Sequence, residues 1–162
     1  MKKDCNLLKR IEIAVNNRQR IGEYDISGYR SPPINQKVSN CIGTAFFLAG
    51  VLDEDKAVSD IKEIDRYLST YFRGIAIPEH GAIISFDFER ISKKNGVESR
   101  IWEPEHMGLI TGYVEPHVIH RKSHMYPLEI VPLSDLLSHE LIQKDVQSGY
   151  MRVRYYRRSH CL

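Results

Sequence analysis

The sequence predicts an α+β protein, with N-terminal helices packed on a mostly antiparallel sheet of about five to six strands. Apolar residues recur at helical spacing up to residue 72, whereas short apolar runs separated by turn residues follow from residue 81 onward. No internal repeat, low-complexity segment or long linker divides the 162 residues, a length that suits one domain with its own core. We therefore expect a single domain over residues 1–162, with a helical part at about 4–72 and a sheet part at about 81–158.

Three helices are predicted in the N-terminal part of the chain. Asp4 can cap the first helix, which should end near residues 20–22. Its apolar residues recur at helical spacing and are Leu7, Leu8, Ile11, Ala14 and Val15. A turn-rich loop of residues 22–39 separates this helix from a compact apolar helix that begins at Cys41. The third helix has an apolar stripe that runs from residue 58 to about residue 72.

The second half of the sequence predicts strands. The apolar runs lie at residues 81–89, 100–102, 106–112, 118–121, 128–131 and 150–157. The dipeptide Asn95-Gly96 is typical of a tight hairpin turn between the first two runs. Pro104 is expected to separate the second run from the third. Residues 132–141 predict one short capped helix before the last strand.

The charge balance argues against strong attraction to nucleic acid or to an anionic membrane. Lys and Arg number 23 and Asp and Glu number 21, which leaves a formal net charge of +2. Charged residues interrupt the N-terminal segment, so it does not fit a secretory signal. The longest apolar run, residues 45–52, is far shorter than a membrane span. We therefore expect a cytoplasmic protein without a membrane span; delivery by a phage or by a non-classical secretion route is the alternative.

Cys41 is the cysteine with the strongest chemical signature. The three cysteines form an odd set without C-x-x-C spacing, and Cys5 and Cys161 lie near the chain ends as bystander thiols. Cys41 follows a capping residue, Asn40, at the start of a helix, where unpaired N–H groups favour a thiolate and can stabilise an oxyanion. The alternative for this position is an inert cysteine buried in a core helix.

Histidines on two neighbouring strands are candidate partners for this thiol. A nucleophilic thiolate needs an imidazole within hydrogen-bond reach, and that imidazole needs a third group to orient it. His106 opens one strand and His120 ends the next, so a hairpin through residues 112–116 would place them side by side. His117 is the alternative for the third position. Because residues three apart on a strand face opposite sides, only one of the two can serve.

These segments resemble, in order, the motifs of the NlpC/P60 family, papain-like cysteine peptidases typified by bacterial cell-wall enzymes. The family's D-C-S-G, H-V-G-I-Y-x-G and V/I-H-A motifs correspond to residues 40–43, 106–112 and 118–121. A strand at residues 81–86 and an upstream tyrosine, Tyr29, also match the family pattern. The chain is therefore identified as a divergent member of that family.

Several positions depart from the family pattern. Asn40, Ile42 and Ala82 stand where the family has Asp, Ser and Asp. The Gly-Gly that follows the family's tyrosine is replaced by Ser-Pro-Pro at residues 31–33. The substrate therefore stays open among a peptidoglycan fragment, another peptide or isopeptide amide, and an ester.

The resemblance implies a papain-like fold and a thiol-dependent acyl-transfer enzyme without a metal or cofactor. Cys41 would attack an amide, peptide or ester carbonyl, His106 would act as its base, and His120 would orient His106. The thioester formed can pass to water or to an amine, so hydrolase and transferase are both consistent with it. The predicted substrate-binding residues are Tyr29, Asn40 and Trp102.

Three other functions are alternatives. A metal site would draw its ligands from Cys41, His106, His117, His120 and His124. A nucleic-acid surface would use the basic and aromatic C-terminal residues Tyr150, Arg152, Arg154, Tyr155, Tyr156, Arg157 and Arg158. The simpler interpretation of that segment is an edge strand with one basic, solvated face. The third alternative is a papain-like binding module without catalytic activity.

Overall fold

The computed structural model describes residues 7–22, 39–112, 114–122 and 128–159, with the backbone alone for residues 15–22. Its helices are α1 (Leu7–Gly22), α2 (Cys41–Leu48), α3 (Ile61–Tyr71), α4 (Leu133–Ser138) and α5 (Glu140–Gln147). Its strands are β1 (Phe72–Ile75), β2 (Ile83–Lys94), β3 (Val97–Thr111), β4 (His117–Arg121), β5 (Leu128–Pro132) and β6 (Met151–Arg158). None of the helices within these ranges is long and apolar enough to cross a membrane. The predicted α+β class is confirmed.

The six strands form one sheet in the order β1-β6-β2-β3-β4-β5, and all neighbouring strands are antiparallel. This confirms the predicted antiparallel sheet and its number of strands. β2 and β3 form a long hairpin whose turn is Asn95-Gly96. Asn95 has φ 51° and Gly96 has φ 78°, the left-handed pair that a type I′ turn requires. The predicted hairpin turn is therefore also confirmed.

Helices cover both faces of the sheet. The front face packs against α1, α2 and α3, and its core residues from the sheet are Phe72, Ile83, Met107, Leu109, Ile119 and Tyr156. The back face packs against α4 and α5, and its core residues from the sheet are Ile84, Phe86, Ile110, Val118 and Met151. Because side chains alternate along a strand, consecutive residues of β2 and β3 supply the two cores in turn.

The sequence predicted that Pro104 separates two strands, and this prediction is wrong, because β3 is continuous through Pro104. Phe86 pairs with His106 and Asp87 pairs with Pro104, so Glu105 is an extra residue on β3. A β-bulge of this kind bends the strand locally and changes the direction of nearby side chains. The bulge therefore lies next to Pro104 and immediately before His106.

Other boundaries also differ from the prediction. α3 begins at Ile61, after the cap residue Asp60, because the Asp60 side chain accepts a hydrogen bond from the Lys62 N–H. The predicted single helix at residues 132–141 is two helices, α4 and α5. In the part of the chain that the structure describes, no side chain caps α4, whose N-terminus follows Pro132. β1 was not predicted, since it is four residues long and directly continues α3.

Candidate active site

Asn40 fixes the N-terminus of α2, where Cys41 is the first helical residue. Its Oδ1 accepts hydrogen bonds from the Gly43 N–H at 2.8 Å and from the Val58 N–H at 3.2 Å. Its Nδ2 donates to the Val58 carbonyl at 2.8 Å. The cap predicted for Asn40 is present, and its side-chain amide is engaged within the protein. Its predicted contact with substrate stays a prediction.

Gly43 allows the first turn of α2 to pack against the segment that follows the helix. A Cβ atom at residue 43 would lie 1.8 Å from the backbone oxygen of Lys56, which no side chain tolerates. This contact and the Asn40 cap together hold the helix start between two fixed backbone segments. The position of the Cys41 side chain is therefore set by backbone packing.

The Cys41 thiol lies beside β3, next to the residues that flank His106. Its Sγ is 3.5 Å from the Glu105 carbonyl oxygen, and the Met107 N–H also hydrogen-bonds to the thiol. β4 pairs with β3 from Gly108 to Thr111, so the backbone at Glu105 and Met107 lies beyond that pairing. The thiol thus contacts the open edge of β3 where a neighbouring strand would otherwise continue.

His106 and His120 are in direct contact. His106 Nε2 lies 2.9 Å from His120 Nδ1, and the two rings are nearly perpendicular at 88° with centroids 5.0 Å apart. His120 is paired with Gly108 across the β3–β4 ladder, which makes His106 its diagonal neighbour. The hydrogen bond occupies Nε2 of His106, so Nδ1 is the ring nitrogen that is left for a third group.

Gly108 makes this contact sterically possible. A Cβ atom there would lie 2.5 Å from Val118 Cγ1 and 3.1 Å from His120 Cβ. A side chain at residue 108 would therefore push β4 and His120 away from β3. The glycine of the H-x-G motif has a specific role in this fold, which is to let the two imidazoles approach.

Burial favours the neutral forms of both the thiol and the imidazole. It lowers the pKa of His106 from 6.5 to about 4, with a smaller contribution from His120 in the same direction. Burial raises the pKa of Cys41, although hydrogen bonds from backbone N–H groups, that of Met107 first, act in the opposite direction. At neutral pH the resting site therefore holds a thiol and an unprotonated imidazole that can accept a proton.

His120 is a buried histidine whose outer nitrogen faces a carboxylate. Burial lowers the pKa of His120, Glu129 opposes this shift, and Lys122 adds to it. His120 Nε2 lies 3.9 Å from Glu129 Oε2 and, among the residues that the structure describes, has no hydrogen-bond partner. The carboxylate therefore acts on His120 through its charge.

The structure brings some of the predicted residues together and keeps others apart. Across the described ranges, no hydrogen bond joins Cys41 to His106; the thiol contacts the backbone on either side of that histidine. His117 is not near His106, since it pairs with Thr111, five residues further along β3, and its Nδ1 hydrogen-bonds to the Glu115 carbonyl at 2.8 Å. Tyr29 lies outside the described residues.

A buried charge network behind the site was not predicted. Arg121 Nη2 lies 3.3 Å from Asp55 Oδ2, and both side chains are buried. Thr44 donates to Asp55 Oδ1 at 2.9 Å, and the Ser39 hydroxyl donates to the same oxygen. Arg121 follows His120, while Ser39 and Thr44 flank the start of α2. The network therefore joins the segments that carry Cys41 and His120.

The proposed metal ligands do not converge in the described part of the chain. There, no group of three or more His, Cys, Asp or Glu side chains lies close enough together to hold a metal ion. His106 and His120 form a pair, and His117 lies apart from them. His124, the remaining histidine of that alternative, lies outside the described residues.

Comparison with known proteins leaves the family assignment as a proposal. No family model, curated protein or solved structure matches this chain.

Proposed function

We propose that this protein is a thiol-dependent acyl-transfer enzyme of the papain-like NlpC/P60 kind, with Cys41 as the nucleophile. The observation that carries the proposal is the His106–His120 hydrogen bond of 2.9 Å on the strand whose backbone, on either side of His106, contacts the Cys41 thiol at the start of α2. A nucleophile, a base and a group that orients the base are the three components of this chemistry. The antiparallel sheet and the order of the motifs support the same family.

The proposed proton transfer requires His106 Nδ1 to come within reach of the Cys41 thiol. When His106 Nε2 donates to His120 Nδ1, the lone pair of His106 Nδ1 is available to accept the thiol proton. Cys41 Sγ then attacks the carbonyl carbon of an amide or ester. Cys41 is the first residue of α2, and the first N–H groups of a helix have no intrahelical acceptor. The Cys41 N–H can therefore stabilise the oxyanion.

The second half of the reaction returns the proton. The tetrahedral intermediate collapses, the bond to the leaving group breaks, and that amine or alcohol takes the proton from His106. The acyl group stays on Sγ as a thioester. Water or an amine then attacks the thioester, with His106 again as base, and the thiol is regenerated. Peptides, including peptidoglycan fragments, and esters are the substrates to test.

The reactivity of the native thiol tests the proposal without a known substrate. The full chain is treated with iodoacetamide from pH 5 to pH 9, and alkylation of each cysteine is followed by peptide mass spectrometry. A free thiol loses about tenfold in rate for each pH unit below its pKa of about 8.5. Burial raises the pKa of Cys41 and would by itself make it slower than an exposed thiol, so a Cys41 rate above those of Cys5 and Cys161 at pH 6 requires His106 as its base. We expect that excess.

Three histidine variants complete the experiment. His106→Ala should lower the Cys41 rate by about 100-fold, since it removes the base. His120→Ala should lower it by about tenfold, since it releases the base from its orientation. His117→Ala is the matched control, because its ring contacts the Glu115 carbonyl, and it should leave the rate unchanged. A Cys41 that is no more reactive than the terminal cysteines would refute catalysis and favour a binding module.

A further inference from the structure

A cluster of charged side chains lies on the front face of the sheet, outside the proposed triad. Its centre is Asp87, which is fully buried. Asp87 accepts a hydrogen bond from Ser85 Oγ at 2.6 Å and one from Arg152 Nε at 3.2 Å. Arg154 Nε is paired with the same carboxylate. We call these residues the Asp87 cluster. It contains two positive charges and one negative charge.

Both arginines of the Asp87 cluster contact Asp87 through Nε, and their side chains are partly exposed to solvent. The Arg152 guanidinium stacks over the Trp102 ring at 4.6 Å, and that of Arg154 lies over the Tyr156 ring at 5.1 Å. Their side chains are 38% and 37% exposed. Among the described residues, the Nη groups of the two arginines have no hydrogen-bond partner. An oriented guanidinium with free Nη groups is a receptor for carboxylate or phosphate oxygens.

The strand register places the Asp87 cluster within reach of the thiol. Ser85 pairs with Met107 on one side and with Arg154 on the other. Neighbouring strands are about 4.8 Å apart, so Arg154 lies about 10 Å from the backbone that contacts Cys41. Arg152 also lies over Trp102, which is half-buried and precedes Glu105 by three residues on β3. An extended peptide spans about 3.4 Å per residue, so this separation corresponds to about three residues.

The other C-terminal arginines are engaged elsewhere. Arg157 forms two hydrogen bonds to the Glu79 carboxylate, at 3.1 and 2.9 Å. Arg158 lies over the Tyr71 ring at 5.5 Å. A nucleic-acid surface requires several phosphate contacts in a row, whereas this strand offers one local site with a net charge of +1. The arrangement favours a single anionic group over a polyanion.

We propose that Arg152 and Arg154 bind a carboxylate of the substrate, about three residues from the carbonyl that Cys41 attacks. This inference rests on the proposed function. It narrows the substrate class to peptides with a free C-terminal carboxylate or an acidic side chain at that distance. Trp102 and Asp87 are positioning residues, since they fix the two guanidinium groups.

Thiol-reactive peptides measure this selectivity directly. The first pair is N-iodoacetyl-Gly-Gly with a free carboxylate and its C-terminal amide; in the acid, the carboxylate is about 10 Å from the reactive carbon when extended. The second pair is N-iodoacetyl-Gly-Asp amide and N-iodoacetyl-Gly-Asn amide. Alkylation of Cys41 in the native full chain is followed at pH 7. We expect an acid to react about tenfold faster than its neutral partner, and the pair in which this occurs identifies the carboxylate's source.

Variants separate the anion site from the thiol chemistry. Arg154→Gln should bring the acid-to-neutral ratio close to one by slowing the acid. Arg154→Lys keeps a positive charge beside buried Asp87, so it should keep the fold. It lacks the planar guanidinium that binds a carboxylate through two hydrogen bonds, so it should still lower the ratio at least threefold. Arg157→Gln is the matched control, on the same strand but paired with Glu79, and should keep the full ratio. Melting curves identify any variant that unfolds.

The outcomes distinguish the two proposals. A ratio of one in the unmodified protein, together with a fast thiol that depends on His106, would overturn the anion site and leave the proposed enzyme. A tenfold ratio at a thiol that is insensitive to His106→Ala would support the anion site and overturn the enzyme. Oligonucleotide binding that Arg152→Gln and Arg157→Gln weaken equally, without any preference for the acids, would assign the surface to nucleic acid and overturn this inference.

Discussion

Glu129 Oε2 lies 3.9 Å from His120 Nε2, and the two residues are paired directly across the β4–β5 ladder. The negative charge favours the protonated form of His120 and raises its pKa, against the larger effect of burial. Glu129→Gln should therefore lower the pKa of His120, measured by NMR titration of the ring. It should also lower the rate of Cys41 alkylation about two- to fivefold, as expected for a partly screened charge at this distance.

Lys122 provides the matched opposite change. It lies 3.5 Å from Glu129 and lowers the pKa of His120. Lys122→Gln should therefore raise the pKa of His120, in the direction opposite to Glu129→Gln. If both variants move this pKa in the same direction, or if neither does, His120 is insulated from the carboxylate and Glu129 has no part in the site.

Gly108 is the position where a single added methyl group should separate the two histidines. Gly108→Ala places a Cβ atom within 2.5 Å of Val118 Cγ1. Overpacking of this kind typically costs about 1–3 kcal/mol of unfolding free energy. We expect that loss in urea denaturation, together with loss of the rate advantage of Cys41. Gly74→Ala, on an edge strand with no atom within 4 Å of the new Cβ, should change neither quantity.

The Asp55–Arg121 pair should be a major determinant of stability. Asp55 and Arg121 are 2% and 1% exposed, so removing one partner leaves the other as an uncompensated buried charge. Asp55→Asn should lower the unfolding free energy by about 3–5 kcal/mol, which chemical denaturation measures. Glu98→Gln is the control, because its pairing with Lys93 is largely exposed and should contribute less than about 1 kcal/mol. Equal effects of the two variants would contradict a buried, desolvated pair.

Local features of the sequence predicted much of the sheet around the site. The Asn95-Gly96 turn, the hairpin that follows His106 and the alternation of β4 each depend on a few consecutive residues. A hairpin connection sets strand register locally, so the approach of His106 and His120 followed from the pattern. The cap of α2 was equally local, since Asn40 and Cys41 are adjacent.

Features that depend on distant residues were not predictable from the sequence. β6 inserts between β1 and β2, and this order is set by packing across the whole chain. Arg121 and Asp55 resemble surface charges in the sequence, and their burial depends on a partner 66 residues away. Asp87 is another example, since alternation places it on the front face but does not predict two arginines from β6. The roles of such residues were not predicted because their contacts come from segments that are distant in the sequence.

Acid should destabilise the protein through His106. The pKa of His106 is about 4 in the folded protein and about 6.5 in the unfolded chain. Between these two pH values, only the unfolded chain binds the proton. Stability should therefore fall as the pH decreases from 6.5 to 4, by up to roughly 3 kcal/mol at about 1.4 kcal/mol per unit. Urea denaturation at pH 7.5, 6, 5 and 4.5 measures this dependence of stability on pH.

Two variants test whether His106 causes this pH dependence. His106→Gln removes the titrating group and should reduce the loss of stability in acid, although buried His120 still contributes a smaller loss in the same direction. His139→Gln, at an exposed histidine, should keep the full slope. If His106→Gln keeps it as well, the imidazole of His106 is protonated in the folded state at mildly acidic pH, and the neutral resting pair is wrong.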